Sequence, residues 1–285
     1  MIAITGASGQ LGQLVIDELL KEGVNANDIV ALARSTNKLE KQKAQGVQVR
    51  FADYEDPNSL NEALKDVEKV LLISSSEVGK RFPQHKNVIE AAKSNGINLI
   101  AYTSILKADT STLNLAKEHL ATENEIIASG LNYVFLRNGW YTENYTMGIP
   151  TALEYSAITG AAAEGRISSA PRSDYALAAV KALTANKLDK NIYELAGDSS
   201  YSLTEFAQTL GAIASREISY NNIEADKFEE LLLSVGLPAG LANMLAETES
   251  KLPSGQLYSE SKDLSTLIGR PTETLEETIK KELGK

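Results

Sequence analysis

The chain begins MIAITGASGQLG (Met1–Gly12), and this stretch decides its fold. An apolar run ends at Thr5, glycines then recur at every third residue, and an amphipathic run begins at once. A strand, a glycine turn and a helix in this order bring a helix N-terminus against a pyrophosphate. Gly6 permits the tight turn, Gly9 lets the backbone approach phosphates, and Gly12 lets the helix pack closely on the strand. The stretch therefore predicts a dinucleotide-binding unit.

The second apolar run, over residues 29–33, ends directly before Arg34. The side chain at this position faces the ribose of a bound dinucleotide, and an acidic residue there would favour NAD. A guanidinium pairs instead with a 2′-phosphate and stacks on adenine. Arg34 therefore predicts NADPH as the cofactor. The alternative is a solvated surface arginine that follows a strand.

The first half of the chain alternates short apolar runs with helical patterns, which is typical of a parallel sheet with crossover helices. Six strands are predicted, over residues 2–5, 29–33, 47–51, 69–73, 97–102 and 132–136. The fold class is therefore α/β, a Rossmann-like doubly wound parallel sheet with a smaller C-terminal substrate lobe. We expect an NADP-binding domain over 1–150 and a mainly helical, substrate-covering lobe over 151–285, and the chain is allowed to pass between the two. A further strand over 192–196 is assigned to the lobe.

The composition argues against several classes of protein. The formal net charge is −10 and Lys and Arg do not cluster, so we expect no nucleic-acid binding. The chain has 0 cysteines and only 2 histidines, so no metal site is expected. No apolar run approaches the ~20 residues that span a bilayer, and no signal peptide precedes the first strand. These features predict a cytoplasmic protein without membrane insertion.

Polar residues follow the third and fourth predicted strands, at the edge of the sheet where ligands bind. Asp53 follows the third strand, where it can accept a hydrogen bond from the adenine amino group; the alternative is a turn residue. Ser74, Ser75 and Ser76 follow the fourth strand, where small hydroxyl side chains allow close approach to the nicotinamide ribose. We therefore expect these residues in the cofactor site.

The usual proton-transfer pair of short-chain dehydrogenases is absent. In those enzymes a Tyr-x-x-x-Lys pair after the fifth strand delivers a proton, but the helix predicted over 114–129 contains no tyrosine. Tyr102 is followed by Lys107, which is the wrong spacing. The absence favours a hydride acceptor that needs little help with protons, such as a quinone. Tyr102 and His85 are the candidate proton donors, although each is more often structural at such positions.

The stretch from Asn138 to Tyr145 combines aromatic and amide side chains. Trp140, Tyr141 and Tyr145 are suited to wall a flat pocket. Asn138 and Asn144 are suited to hydrogen-bond ribose, carboxamide or quinone oxygen. We therefore assign Trp140, Tyr141 and Asn144 to the substrate pocket; the alternative is that Trp140 and Tyr141 pack between lobes.

Motifs that carry a family resemblance are spread over nearly the whole chain, at residues 2–12, 71–79, 101–104, 136–141, 193–198 and 267–272. On these motifs the chain resembles the NmrA-like, atypical short-chain dehydrogenase group and, within it, the bacterial NAD(P)H:quinone oxidoreductases. The resemblance implies a quinone reductase that prefers NADPH and uses neither flavin nor metal.

The resemblance also implies which residues contact the cofactor. Arg172 is added on this ground, and it stands in a loop just before a predicted helix. With Asp53 included, the predicted cofactor-binding set is Gly6, Ala7, Ser8, Gly9, Gln10, Leu11, Arg34, Asp53, Ser74, Ser75, Ser76, Asn138, Gly139, Trp140, Tyr141, Thr142, Glu143 and Arg172.

Two other functions are compatible with these residues. NmrA-like proteins include non-catalytic regulators that sense NADP(H), and the missing tyrosine–lysine pair suits such a protein equally well. A third hypothesis is a reductase of another activated double bond, such as an enone. A homodimer is the hypothesis about assembly.

Overall fold

The computed structural model describes all residues of the chain, 1–285. The strands are β1 (Ile2–Ile4), β2 (Ile29–Ala33), β3 (Gln48–Phe51), β4 (Lys69–Leu72), β5 (Leu99–Ile105), β6 (Tyr133–Asn138), β7 (Ala157–Gly160), β8 (Ile192–Leu195) and β9 (Ser219–Asn222). The helices are α1 (Gln10–Lys21), α2 (Glu40–Ala44), α3 (Pro57–Ala63), α4 (Arg81–Ser94), α5 (Asn114–Ser129), α6 (Glu143–Thr146), α7 (Ile149–Tyr155), α8 (Arg172–Thr184), α9 (Leu203–Ala214), α10 (Ala225–Ser234), α11 (Ala239–Ser250), α12 (Asp263–Ile268) and α13 (Leu275–Glu282). Short 3₁₀ helices lie at Ala26–Asp28, Thr36–Leu39 and Leu252–Ser254.

A 7-stranded sheet has the strand order β3-β2-β1-β4-β5-β6-β8. Neighbouring strands from β3 through β6 are parallel. Apolar side chains of α3 and α4 join those of the strands in one buried cluster, which contains no residue of α1 or α8. Since α1 packs against α8 away from that cluster, helices cover both faces of the sheet. This arrangement confirms the predicted Rossmann-like α/β fold.

The position of β8 corrects the sequence-based expectation. We expected six strands in the main sheet and placed residues 192–196 in the smaller lobe. β8 instead forms the edge of the main sheet beside β6, and the Phe135 amide donates to the Asn191 carbonyl oxygen over 2.7 Å just before β8 begins. The sequence of a four-residue edge strand does not show which strand it pairs with, because contacts between residues distant in sequence decide the pairing.

The chain divides into two compact units, and it passes between them more than once. The first unit consists of Met1–Ala108, Lys117–Asn138 and Arg172–Glu194. The second unit consists of Asp109–Ala116, Gly139–Pro171 and Leu195–Lys285. The functional division at residue 150 stays a prediction, because compactness does not test which residues bind cofactor or substrate.

The turn after β1 brings two stretches of backbone into close contact. Gly6 has a φ of +58°, a left-handed conformation that glycine adopts without strain. A Cβ at Gly12, in the first turn of α1, would lie 2.6 Å from the Gly6 carbonyl oxygen and 2.7 Å from Ala7 Cα. Because those atoms belong to the backbone, they cannot move aside as a side chain would. Gly12 thus permits the predicted close approach of the helix, although its contacts are with the turn after β1 and not with the strand itself.

The second unit contains a parallel pair of strands, β7 and β9, and one buried carboxyl group. Glu249, in α11, accepts a hydrogen bond from the Ala161 amide over 2.6 Å. Burial raises the pKa of the Glu249 carboxyl from 4.5 to about 7, although the hydrogen bond from Ala161 acts in the opposite direction. Glu249 therefore titrates near neutral pH in the folded chain.

We expect Gly12→Ala to lower the free energy of unfolding by about 1–3 kcal/mol, because the new methyl group overlaps rigid backbone. Gly240→Ala is the matched control, since a Cβ at Gly240 meets nothing within 4 Å. That substitution lies in a helix and is expected to stabilise the chain slightly. Urea unfolding measures both, and equal effects of the two substitutions would contradict the role of Gly12.

We expect Glu249→Gln to change how stability depends on pH. The folded chain holds the Glu249 proton more tightly than the unfolded chain, so the contribution of Glu249 to wild-type stability falls as pH rises from 4.5 to about 7. Glutamine does not titrate, so the stability of the variant relative to wild type should rise by up to about 3 kcal/mol across this window. Urea unfolding at a series of pH values measures the difference.

Glu230→Gln is the control for this pH series, because Glu230 is an exposed residue of α10. The stability of this variant relative to wild type serves as the baseline against which the pH series of Glu249→Gln is compared. If the difference in stability between Glu249→Gln and wild type does not change with pH, burial does not destabilise the charged form of Glu249.

Candidate cofactor-binding site

The strand order reverses between β1 and β4, and ligands of such sheets bind at the carboxyl ends of the strands at this point. A hydrogen-bond network joins the ends of these two strands to the segment after β3. The Thr5 hydroxyl donates to the Leu71 carbonyl oxygen over 3.1 Å, and its oxygen accepts from the Ile73 amide over 3.0 Å. The Tyr54 hydroxyl lies 2.5 Å from Thr5 Oγ1 and 2.8 Å from the Ile73 carbonyl oxygen. This network holds the floor of the site directly beside Gly6.

Tyr54 is a residue of the site that sequence reasoning missed. Burial raises the pKa of the Tyr54 hydroxyl, so the group stays protonated and acts as a hydrogen-bond donor. Its hydroxyl lies 3.7 Å from the position of a Cβ built at Gly6. The only sequence signal was its place directly after Asp53, at the end of a strand.

The glycine turn leads into the start of α1, where the backbone suits an anion. Gly9 is the N-terminal cap of α1, and no side chain caps this helix. Gly9 and Gln10 are exposed, whereas Ala7 and Leu11 are buried. The unpaired amides at a helix N-terminus and the helix dipole both favour an anion. The turn therefore fits a pyrophosphate.

Arg34 extends from the carboxyl end of β2, and its side chain is 59% exposed. Its Nη1 atom lies 3.1 Å from Glu77 Oε1, in the loop that follows β4. An exposed guanidinium at this place fits a 2′-phosphate. Arg34 is thus located where the sequence predicts the phosphate that distinguishes NADPH from NADH.

The serine loop, residues 74–76, is held from below by buried side chains. The Ser74 amide donates to Thr103 Oγ1 over 2.9 Å. The Ser75 amide donates to His85 Nε2 over 2.9 Å. Both bonds come from the interior, so the backbone of the loop is fixed while Ser76 stays exposed.

Asp53 is half-buried, and one carboxylate oxygen accepts a hydrogen bond from the Glu55 amide over 3.0 Å. This contact is an Asx turn, and it supports the alternative interpretation of Asp53 as a turn residue. Contact of Asp53 with adenine stays a prediction.

Tyr102 and His85, the candidate proton donors, are both fully buried. The Tyr102 hydroxyl lies 2.8 Å from His119 Nδ1, and His85 Nδ1 lies 2.9 Å from Thr122 Oγ1. Burial lowers the pKa of His85 to about 3 and raises the pKa of Tyr102. These surroundings favour a structural role, in which His85 anchors the serine loop, and argue against proton donation by either residue.

A buried ion-pair network lies at the end of β6, and its pairing was not predicted from the sequence. Arg137 donates two hydrogen bonds to Glu123, over 3.0 and 2.7 Å, and a third to Glu194 over 2.8 Å. Glu123 also accepts from the Ser104 hydroxyl over 2.6 Å. A bidentate arginine–carboxylate pair has a fixed geometry, so it restrains the segments that carry its two side chains. The network therefore holds the ends of β5 and β6, where Asn138 lies.

In the second unit, the stretch from Gly139 to Asn144 is held by backbone hydrogen bonds. The Gly139 amide donates to the Leu195 carbonyl oxygen over 2.7 Å, and the Thr142 amide donates to the Ala170 carbonyl oxygen over 3.0 Å. Trp140 is 7% exposed, whereas Tyr141, Glu143 and Asn144 are half-buried. Arg172, which we expected in a loop before a helix, is instead the first residue of α8, and it belongs to the first unit.

Within the first unit, the structure brings four of the predicted cofactor segments together at one edge of the sheet: the glycine turn, Arg34, the segment with Asp53, and the serine loop. Thr5 and Ile73 link the glycine turn to the serine loop, Tyr54 adds the segment with Asp53, and Glu77 links Arg34 to the same loop. No group of three or more His, Asp or Glu side chains is arranged to hold a metal ion. None of the helices has the length and apolar character needed to cross a bilayer.

Comparisons with known proteins agree with this geometry. The model of an NAD(P)H-binding family matches residues 6–186. The chain is 51% identical to quinone oxidoreductase 2 of Escherichia coli strain K12 over 279 residues, which cover 98% of this chain and 97% of that protein.

Two solved structures are similar over their full length. The structure of the Escherichia coli NADPH-dependent quinone oxidoreductase QOR2 complexed with NADPH has a TM-score of 0.96 and 50% identity, and covers 99% of this chain and 100% of that one. The structure of a Citrobacter sp. triphenylmethane reductase complexed with NADP(H) has a TM-score of 0.94 and 35% identity, with coverage of 99% and 100%. The chain therefore belongs to the NAD(P)H-binding family, in its NmrA-like, atypical short-chain dehydrogenase group.

Proposed function

We propose that the chain catalyses the NADPH-dependent two-electron reduction of quinones by direct hydride transfer, without flavin or metal. The observation that carries this proposal is the 51% identity with the Escherichia coli quinone oxidoreductase over 98% of the chain. NADPH supplies the hydride when it is bound. The protein's own contribution is to bind and orient cofactor and acceptor, because hydride transfer turns a quinone into an aromatic hydroquinone anion, which takes the one remaining proton readily from water.

The first unit contains the groups that fit the cofactor. The uncapped start of α1 and the glycine turn suit the pyrophosphate, and Arg34 suits the 2′-phosphate. We assign the serine loop to the nicotinamide ribose and Asp53 to adenine. The remaining members of the proposed cofactor set are Asn138, Gly139, Trp140, Tyr141, Thr142, Glu143 and Arg172.

We assign Trp140, Tyr141 and Asn144 to quinone binding. Tyr141 and Asn144 are half-buried, so part of each side chain is open to a ligand. Trp140 is almost completely buried, which supports the alternative of a packing residue for this position. A flat aromatic acceptor suits the face of a tyrosine ring, and a side-chain amide suits a quinone oxygen.

A second candidate function is reduction of another activated acceptor. The 35% identity with the Citrobacter sp. triphenylmethane reductase favours it, because that protein is a reductase linked to triphenylmethane dyes and has the same fold. A non-catalytic NADP(H) sensor is the remaining alternative. We further propose a cytoplasmic protein that binds no nucleic acid and forms a homodimer.

We expect rapid loss of NADPH absorbance when the protein is mixed with NADPH and a simple benzoquinone in a stopped-flow instrument. The physical reason is that hydride transfer to a quinone needs no positioned acid. Tight NADPH binding with no oxidation would identify a sensor instead. Oxidation only with an enone or a triphenylmethane dye would identify a reductase of another acceptor.

We expect Arg34→Ala to weaken NADPH binding by about 10- to 100-fold, since a charge-assisted contact with the 2′-phosphate is lost. NADH has no such phosphate, so its affinity should change little. Arg34→Lys keeps the charge without the planar fork and should give an intermediate affinity for NADPH. Titration of both coenzymes measures this, and equal losses for NADPH and NADH would rule out the assignment of Arg34.

A further inference from the structure

Glu77 forms an ion pair with Arg34 at the edge of the sheet where the candidate cofactor site lies. The two residues follow different strands, β2 and β4, and Arg34 Nη1 lies 3.1 Å from Glu77 Oε1. The guanidinium thus already makes a charge-assisted hydrogen bond of the kind a phosphate oxygen would make. The Glu77 side chain is 32% exposed, so it is more restricted than the arginine it contacts.

The position of Glu77 is fixed by its loop. The Glu77 amide donates to Ser75 Oγ over 3.2 Å, and the Ser75 amide is bound in turn to buried His85. On the other side, the Gly79 amide donates to the Glu118 carboxylate over 3.0 Å. Since both sides of the loop are tied to the fold, the carboxylate of Glu77 is held near Arg34 and its effective concentration there is high.

Lys80 provides a second partner for Glu77. Lys80 Nζ lies 3.9 Å from Glu77 Oε2 and 3.7 Å from Glu55 Oε1. When another anion takes Arg34, the Glu77 carboxylate keeps a cation beside it. The exchange of partners therefore leaves no charge unpaired, and displacement of Glu77 from Arg34 costs little free energy.

We propose that Glu77 is a built-in competitor of the 2′-phosphate of NADPH for Arg34, and so a specificity-determining residue. The inference rests on the proposed function. Glu77 lowers the affinity for phosphorylated coenzymes, both NADPH and NADP⁺, because each must displace it from Arg34. NADH leaves the Arg34–Glu77 pair intact, so its affinity is unaffected. Glu77 thereby moderates the preference for NADPH and eases release of NADP⁺ after each turnover.

We expect Glu77→Gln to tighten NADPH binding by about two- to fivefold, the range set by one exposed ion pair, and to leave NADH binding unchanged. Calorimetric or fluorescence titration with each coenzyme measures both constants. Glu55→Gln is the matched control, because it removes the same charge from the same cluster and contacts Lys80 but not Arg34. This control should leave the affinity for both coenzymes as in wild type.

The background of Arg34→Ala tests whether Glu77 acts through Arg34. In that background Glu77→Gln should have no effect on NADPH binding. An unchanged NADPH affinity in the single variant, an equal gain for NADH, or the same gain without Arg34 would each overturn the inference. If the wild-type chain binds no NADPH, this inference and the proposed function are both overturned. If the wild-type chain binds NADPH and Glu77→Gln does not change that affinity, this inference alone is overturned.

Discussion

The close approach of α1 to the turn after β1 is the constraint on which the candidate site depends. A side chain at Gly12 would overlap the backbone of Gly6 and Ala7, so the helix can take this position only because the residue is glycine. The same approach leaves the start of α1 beside the point where the strand order reverses. The pyrophosphate site that we propose depends on this packing, because its anion-binding groups are backbone amides that only a correctly placed helix presents.

The polar loops at this edge rest on a layer of buried and partly buried neutral hydrogen-bonding groups. Thr5 and Tyr54 hold the end of β4, and His85 receives the amide of Ser75. Burial keeps His85 uncharged and Tyr54 protonated, so each stays in the form that these bonds need. A chemically inert layer of this kind is consistent with catalysis by positioning. Burial and hydrogen bonding in the same region also give structural roles to His85 and Tyr102, the two residues that the sequence suggested as proton donors.

The charged side chains around Arg34 follow a different principle. Arg34 and Glu77 are both partly exposed, and their attraction is weak enough for a ligand to exchange with it. By contrast, the Arg137–Glu123 pair is almost completely buried and bidentate. Removal of one member there would leave a buried charge without its partner. The exposed pair is therefore suited to recognition, and the buried pair is suited to holding strand ends in place.

Sequence by itself determined the features that depend on local pattern: the glycine turn, the alternation of strands and helices, and Arg34 at the end of β2. These could be predicted because turn conformation and hydrophobic periodicity depend on neighbouring residues. Tertiary structure alone decided the place of β8 at the sheet edge, the hydrogen bonds of Tyr54, and the pairing of Arg34 with Glu77. Each of these joins segments far apart in the chain, and no local pattern records which distant group a strand edge, a hydroxyl or a guanidinium will meet.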